Sequence, residues 1–197
     1  MTSLNKKFFK FLSIGIVLLI SICAVSVLAF SNIERNPVAA AESESMNSII
    51  VQQLREQQAE EFRRVQLLNE KFEKDVQCLA KNIYYEAGNE SRTGKIAVAN
   101  VTLNRVKSGK FPKEVCAVVY QKHSGVCQFS WTCFKRNNRP SGEAYAESKN
   151  IAEMVLRNKI KPVIGKNVLY YHADYVDPNW DLQRVIKIGA HIFYTET

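Results

Sequence analysis

The sequence is poor in the residues that build metal centres. It has three histidines in 197 residues, at His123, His172 and His191. They are scattered without an HxxxH or similar grouping, so the ligand spacing of a zinc amidase or peptidase is missing. The five cysteines form no CxxC pair of the kind structural zinc uses. No metal and no cofactor is therefore expected. Internal repeats and low-complexity tracts are also missing, as is any recognised nucleic-acid motif, so nucleic acid is not an expected partner. What remains is a chain of ordinary globular composition, 46% hydrophobic and 23% charged, long enough for one domain with appendages.

The first appendage is apolar. Lys6, Lys7 and Lys10 precede an uncharged run from Phe11 to Phe30, long enough by length to cross a bilayer, and basic residues ahead of such a run keep the amino terminus inside. Residues 1–30 thus read as a signal-anchor segment at the inner membrane, with the rest of the chain in the periplasm or cell envelope. The small residues Val38-Ala39-Ala40-Ala41 offer the alternative of export followed by cleavage. Residues 31–45, polar and without periodicity, read as a linker. Over residues 46–74, Ile50, Leu54, Val65, Leu68 and Phe72 recur at helical intervals, which predicts an amphipathic stalk helix. Its apolar face is expected to be covered by its own domain, since Gln57, Gln58 and Glu61 interrupt the seam of a coiled coil. Residues 75–197 form the catalytic domain of this reading.

Cysteine placement agrees with export. Cys23 lies in the apolar run, leaving Cys78, Cys116, Cys127 and Cys133, an even number in a segment expected outside the cytoplasm. Four cysteines allow three pairings and the sequence does not decide among them. The favoured one joins Cys127 to Cys133, closing a small loop around Phe129-Ser130-Trp131, and Cys78 to Cys116. Charge is uneven as well: residues 1–74 hold 9 Lys/Arg against 8 Asp/Glu, and residues 75–197 hold 18 against 11. The basic surface belongs to the domain and would draw it to anionic polymers such as peptidoglycan, to teichoic-type polymers or to lipid head groups. Lys135-Arg136-Asn137-Asn138-Arg139 is its densest patch.

The pattern Val76, Leu79, Ala80, Ile83 is helical and runs into Tyr84-Tyr85-Glu86-Ala87-Gly88-Asn89-Glu90. Glu86 falls in the last turn, where the two tyrosine rings would desolvate it, and desolvation raises a carboxyl pKa. A protonated glutamic acid is what glycosidic-bond cleavage needs, because the leaving oxygen must receive a proton. The plain alternative is an ordinary helix end. Beyond it, Ile96, Ala99, Leu103 and Val106 share one face of a core helix with Ser91 or Thr93 as its start cap. A small helix ends near Gln121, and Ser141 can cap a further helix with Ala144, Ser148, Ile151 and Val155 on one face. Three helices are thus expected around Glu86. Val168 to His172 is rich in strand formers, and Ile186, Ile188, Ala190 and Ile192 alternate strictly, so these read as paired strands. Helices first and strands last suggest an α+β domain with a small antiparallel sheet near its C-terminal end.

Several motifs in fixed order, from Cys78 to Tyr194, resemble the catalytic domain of the SleB/CwlJ-type cell wall hydrolases, the family of spore cortex-lytic enzymes and of many Gram-negative and phage envelope enzymes. They are Tyr85-Glu86-Ala87-Gly88-Asn89-Glu90, Gly94 with Ala97-Val98-Ala99, Leu103-Asn104-Arg105-Val106, Phe111-Pro112 and Val115 to Gln121. Cys127 to Cys133, Tyr171-His172-Ala173, Pro178-Asn179-Trp180 and Ile188 to Tyr194 complete the series. The turn departs from the Arg-Gly-Glu common in the family, reading Gly88-Asn89-Glu90, but keeps the acid. The resemblance implies a lysozyme-like or lytic-transglycosylase-like domain, peptidoglycan as partner, and a single catalytic glutamate at Glu86.

Two chemistries stay open. A conventional glycosidase needs a second carboxylate, for which Glu90 is the nearest candidate, although Glu90 can instead bind backbone amides near the next helix start. Lytic transglycosylation between N-acetylmuramic acid and N-acetylglucosamine needs only one. Phe129, Trp131, Tyr171 and Trp180 can stack on sugar faces or lie in the core, and Tyr85 borders the acid. Gln128, Ser130 and His172 can bond the glycan or orient Glu86, whereas His191 reads as a buried, satisfied histidine. Two other classes compete. A cysteine peptidase would pair Cys127 or Cys133 with His172, which disulfides would forbid, and a non-catalytic, membrane-tethered peptidoglycan-binding protein would use the same cleft.

Overall fold

A computed structural model describes residues 37–134 and 139–197. The apolar run Phe11–Phe30 with Cys23, the first residues of the expected linker and all of the basic patch but Arg139 lie outside the described residues. Among those described, no helix is long and apolar enough to cross a membrane. The chain divides into two units between Arg64 and Val65.

Helix α1 runs from Pro37 to Ala87, so the expected linker is helical from Pro37 onward. The reason is local: proline suits a first helical position, and Ala39-Ala40-Ala41 with Glu42 and Glu44 are good helix formers. In the first unit Ile50 and Leu54 are exposed, and in the second so are Val65 and Leu68. Within the second unit the expected covering therefore does not reach Val65 or Leu68. Burial begins at Phe72, which packs against the core under the guanidinium of Arg157, 4.2 Å from its ring. From Val76 the helix turns fully amphipathic, with Val76, Leu79, Ala80 and Ile83 buried.

Helix α2 (Arg92–Ser108) is the centre of the second unit. Its cap is Ser91, whose hydroxyl accepts the Gly94 N–H at 3.3 Å, as the sequence predicts. One face carries Ile96 and Ala99 into a cluster with α1 and with helices α3 (Val115–Val119) and α4 (Gly142–Leu156). The other carries Ala97 and Val101 against Ile164, Val168 and Phe193. A helix apolar on both sides is one packed on both sides. Lys95, almost wholly buried, pairs with Glu147 of α4. Ser141 stands at the start of α4 but makes no side-chain cap bond.

Where the sequence predicts only a loop between Gln121 and Cys133, there is a two-stranded hairpin of β1 (Lys122–His123) and β2 (Val126–Cys127). A 3-10 turn over Ser130–Thr132 follows. The pattern was hidden because each strand is only two residues long, too short for alternation to register. The expected pair of C-terminal strands is a three-stranded antiparallel sheet in the order β3-β5-β4, made of β3 (Tyr170–Ala173), β4 (Gln183–Ile188) and β5 (His191–Thr195). The alternation of Ile186 to Ile192 conceals a turn at Gly189-Ala190, flanked by the pair Ile188 and His191. Gly189 has φ +59, a conformation glycine adopts at no steric cost.

Two disulfides close the domain, Cys78–Cys116 and Cys127–Cys133, the favoured pairing. The first ties α1 to α3 and the second closes the loop around Trp131. Loop-closure entropy grows with the length enclosed, here 38 against 6 residues, giving about 4 against about 2 kcal/mol. Replacing Cys78 and Cys116 together by alanine is expected to lower the unfolding free energy about twice as far as replacing Cys127 and Cys133, measured by urea denaturation without reductant. Equal losses would show that the bridges act by some means other than chain entropy.

Candidate active site

Glu86 stands in the last turn of α1. The helix ends there because Gly88 follows: a Cβ at Gly88 would lie 2.5 Å from the Tyr84 carbonyl oxygen, so this turn tolerates only glycine without backbone movement. The Tyr171 hydroxyl of β3 donates to Glu86 Oε2 at 3.2 Å. Burial, and next the negative charge of Glu86, push the Tyr171 phenol well above its ordinary range. It therefore remains a hydrogen donor at any physiological pH. Tyr85, next to the carboxylate in sequence, stacks on Trp131 with ring centres 4.6 Å apart.

Behind this pair lies a polar framework. Asn82, one turn before Glu86, is fully buried. Its amide donates to Thr102 Oγ1 and its Oδ1 accepts the Trp131 indole N–H, both at 3.2 Å, so α1, α2 and the Trp131 loop meet at one side chain. Arg105 of α2 is 3% exposed. Its Nε donates to the Leu169 carbonyl at 2.8 Å, two residues before Tyr171, and its guanidinium lies 5.0 Å from the Phe111 ring and 5.5 Å from that of Phe129. Burial lowers the Arg105 pKa, while Tyr171, Tyr170 and Glu86 each favour the cation. Sequence reasoning met Arg105 only as a member of a motif and passed over Asn82 altogether. Asn82 had a usable signal, since a polar residue between Leu79 and Ile83 on a buried face calls for partners.

Glu90 is placed differently. It accepts the Ala190 N–H of the β4–β5 turn through Oε1 at 3.2 Å and Oε2 at 3.4 Å. It does bind backbone amide, though in the sheet turn and not at the start of α2 as expected. Its side chain fills the space of two absent methyl groups. A Cβ at Gly189 would sit 1.8 Å from Oε2, and one at Gly94 would sit 3.3 Å from the same atom.

The other predicted site residues separate into groups. Phe129 and Trp131, 4% and 7% exposed, belong to the core and offer no face to a sugar; the indole is turned inward by its bond to Asn82. Gln128 and Ser130 are exposed on the same loop. His172 neither orients Glu86 nor keeps a free nitrogen: Nδ1 donates to the Ala173 carbonyl and Nε2 accepts from the Tyr194 hydroxyl, both at 2.8 Å. As the neighbour of Tyr171 on a strand it points to the opposite face. There it stacks on Tyr194 and meets Trp180, with ring centres 5.1 and 5.4 Å away. Glu86, Tyr85 and Tyr171 are thus together, while His172 and Trp180 share the sheet's other face. The four cysteines named for a peptidase or for zinc are all in disulfides, and among the described residues no cluster of His, Cys, Asp or Glu could hold a metal ion.

The model of the Cell Wall Hydrolase family matches residues 89–194. The chain belongs to that family. Within this cell wall hydrolase segment lie Glu90, Arg105 and Tyr171, and Glu86 stands just ahead of it. A spore cortex-lytic enzyme of Bacillus cereus is 28% identical over 121 residues, covering 60% of this chain and 43% of that protein. That of Oceanobacillus iheyensis is 28% identical over 121 residues, 60% of this chain and 41% of the other. That of Bacillus subtilis is 26% identical over 122 residues, 60% and 37%. The similarity thus spans less than half the length of these relatives. Among solved structures, the catalytic domain of the Bacillus cereus SleB protein aligns with a TM-score of 0.49 at 28% identity, over 62% of this chain and 91% of that one.

His191 overturns one expectation. It is buried, but Nδ1 has no hydrogen-bond partner among the described residues and stands 4.0 Å from Glu90 Oε1, so it is not satisfied. Burial lowers its pKa from 6.5, more than Glu90 and Asp174 raise it, and His172 lowers it further. The folded protein then holds the neutral imidazole where the unfolded chain takes up a proton. This contribution to stability is complete above the unfolded value and is lost as pH falls toward the folded one. Between about pH 7.5 and 5 the unfolding free energy should fall more steeply for the wild type than for His191→Gln. Equal slopes would show that His191 carries no proton-linked stability.

Proposed function

We propose that this chain cleaves the glycan strand of peptidoglycan as a lytic transglycosylase, with Glu86 as its single acid. The observation that carries this reading is the contrast between two carboxylates four residues apart. Glu90 is occupied by the Ala190 N–H and packed over Gly94 and Gly189, so the nearest second carboxylate serves the fold. Glu86 is held at one oxygen by a permanent donor, Tyr171. A conventional glycosidase needs two carboxyl groups, about 5–9.5 Å apart according to stereochemistry. The route that needs one is the one the site supports.

In that route the Glu86 carboxyl gives its proton to the glycosidic oxygen leaving C1 of N-acetylmuramic acid, and the C1–O bond breaks. The resulting carboxylate, its negative charge shared with the Tyr171 hydroxyl bond, then takes the proton of the muramic 6-hydroxyl as that oxygen attacks C1. The product is a 1,6-anhydro sugar, with no water consumed. Tyr171 fixes the carboxyl orientation, which matters because proton transfer requires hydrogen-bond reach to the departing oxygen. The basic domain favours a polymer with free carboxylates. Disulfides at Cys78–Cys116 and Cys127–Cys133 and the uncharged Phe11–Phe30 run support an envelope location, anchored to the inner membrane or exported. Wall remodelling and phage lysis are both served by such an enzyme.

Purified peptidoglycan digested by the full chain in detergent, with products read by mass spectrometry before borohydride reduction, tests this directly. Anhydro-muropeptides are expected from the wild type, and Glu86→Gln should lower their rate by about 100-fold or more at unchanged melting temperature. Reducing-end products would mean attack by water. A folded wild type that releases no fragment would leave a peptidoglycan-binding protein.

A further inference from the structure

Helix α1 carries apolar residues that its own units leave uncovered. Met46, Ile50 and Leu54 in the first unit and Val65 and Leu68 in the second are each between 43% and 59% exposed. Scattered apolar residues on a surface are ordinary, but these five follow a rule. From Met46 the chain advances in steps of 4, 4 and 3 residues, through positions 50, 54 and 57, then 61, 65 and 68, then 72, 76 and 79, and on to 83. The last four members, Phe72, Val76, Leu79 and Ile83, pack in the core of the second unit. An 11-residue repeat of about 3.67 residues per turn is close to the pitch of a free α-helix, so such a stripe hardly drifts around its helix. A heptad is broken at Gln57, Gln58 and Glu61; in the 11-residue frame Gln58 falls outside the stripe and only Gln57 and Glu61 interrupt it.

Charge and symmetry identify what covers the exposed members. Between Met46 and Leu68, Arg55, Arg63 and Arg64 stand against Glu56, Glu60 and Glu61, so the segment has no net charge to repel a second copy of itself. The two edges of the stripe differ. Gln53, Glu60, Arg64 and Lys71 line one, and Val51, Gln58, Phe62 and Asn69 line the other, each at steps of 7, 4 and 7. When two parallel helices pair about a twofold axis, unlike edges meet. Each charged edge then lies along an uncharged one, and no like charges are brought together. The polar members suit the same arrangement. The Gln57 amide both donates and accepts, so it can bond its own copy, and Arg64 stands one turn beyond Glu61 at the edge of the stripe. Polar residues in a helical seam fix register and orientation at a cost in affinity.

We propose that α1 is a dimerisation element, in which two copies of this chain pair through parallel α1 helices along the stripe from Met46 to Leu68. The orientation rests on Phe11–Phe30 serving as a membrane anchor, because two chains tethered in one bilayer present their helices from the same side. The tether also concentrates them, so that a short seam with two polar layers suffices. Pairing gives the basic wall-binding domain a second copy on the same tether, and binding by one raises the local concentration of the other.

The full chain is purified in detergent and its mass read by sedimentation equilibrium, beside the double variant Ile50→Asp with Leu54→Asp and the control Ile49→Asp. Ile49 is about as exposed as Ile50 but lies about 100° round the helix from it, off the stripe. A dimer is expected for the wild type. The double variant should raise its dissociation constant about 100-fold or more, because carboxylates enter the seam unpaired, and the control should change it by no more than about two-fold. The near-ultraviolet spectrum should be the same throughout, since every Trp and Tyr lies beyond residue 64. In isolated membranes Gln57→Cys should form an intermolecular disulfide and Ile49→Cys should not. Alkaline extraction of the same membranes scores the anchor separately: a released chain that still forms the stripe-dependent dimer would keep the pairing and remove the anchor. A monomeric wild type, or a dimer weakened equally by the control and the double variant, would overturn the pairing even with the chain held in the membrane. A dimer without the Gln57→Cys link would overturn the parallel register.

Discussion

The geometry at Glu86 depends on how α2 holds the segment that leads into β3. A backbone stretch without regular structure carries amide and carbonyl groups that must find partners once buried, and here α2 provides them from its polar side chains. The Asn100 Oδ1 accepts the Val163 N–H at 2.9 Å. One turn on, the Asn104 amide donates to the Gly165 and Val168 carbonyls at 2.9 and 3.0 Å, and Arg105 donates to Leu169. These bonds fix the chain from Val163 to Leu169 against a helix. The next residues are β3, and Tyr171 meets Glu86 because its strand begins from a fixed point. Removing Arg105 leaves the buried Leu169 carbonyl unpaired, at about 1–3 kcal/mol, and loosens the strand that carries the donor.

A second constraint fixes what Glu90 does. Three glycines bound the turn after α1: Gly88 lies against the Tyr84 carbonyl, and Gly94 and Gly189 lie against Glu90. Together they let α1, α2 and the β4–β5 turn approach closely enough for one glutamate to join helix and sheet. Alanine at Gly189 would combine a left-handed backbone, strained for any side chain, with a methyl group in the place of the Glu90 carboxylate. The close approach therefore commits Glu90 to structure. Glu86, four residues earlier, sits on the last helical turn, where its backbone is fixed and its carboxylate meets the Tyr171 hydroxyl. Sites carried on helices and strands are more precisely placed than sites on loops.

Much of this was legible from residue patterns. The helices around Glu86 follow from apolar spacing at Leu79, Ile83, Ile96, Ala99, Ile151 and Val155, and Ser91 was one of the two candidate caps. The failures share a cause: periodicity reports which face of an element is buried, but not what covers it. Trp131 and Phe129 looked like sugar platforms because aromatic residues near a cleft motif look alike whether they face water or core; only the Asn82 bond and their burial separate the two. His172 looked like a site residue for the same reason, although strand alternation places it opposite Tyr171. The turn at Gly189-Ala190 was masked because a two-residue hairpin loop preserves the alternation on either side of it. Glu90 was correctly suspected of binding backbone amide, but its partner, a hundred residues away, has no local signature.

The disulfides fit the same logic of fixed elements. Cys78 lies on α1 two turns before Glu86 and is bound to α3, whose end carries Tyr120. Cys127–Cys133 encloses the 3-10 turn that carries Trp131. Each bridge thus stands behind a part of the helical flank of the carboxylate, while Asn100, Asn104 and Arg105 of α2 stand behind the sheet flank. A domain of this size buries one modest core on each side of α2, and a single helix cannot alone hold two flanks in register. Buried hydrogen bonds hold both flanks, from Asn82 to Thr102 and Trp131 on the helical side and from Arg105 to Leu169 on the sheet side, and the helical side adds the two covalent links.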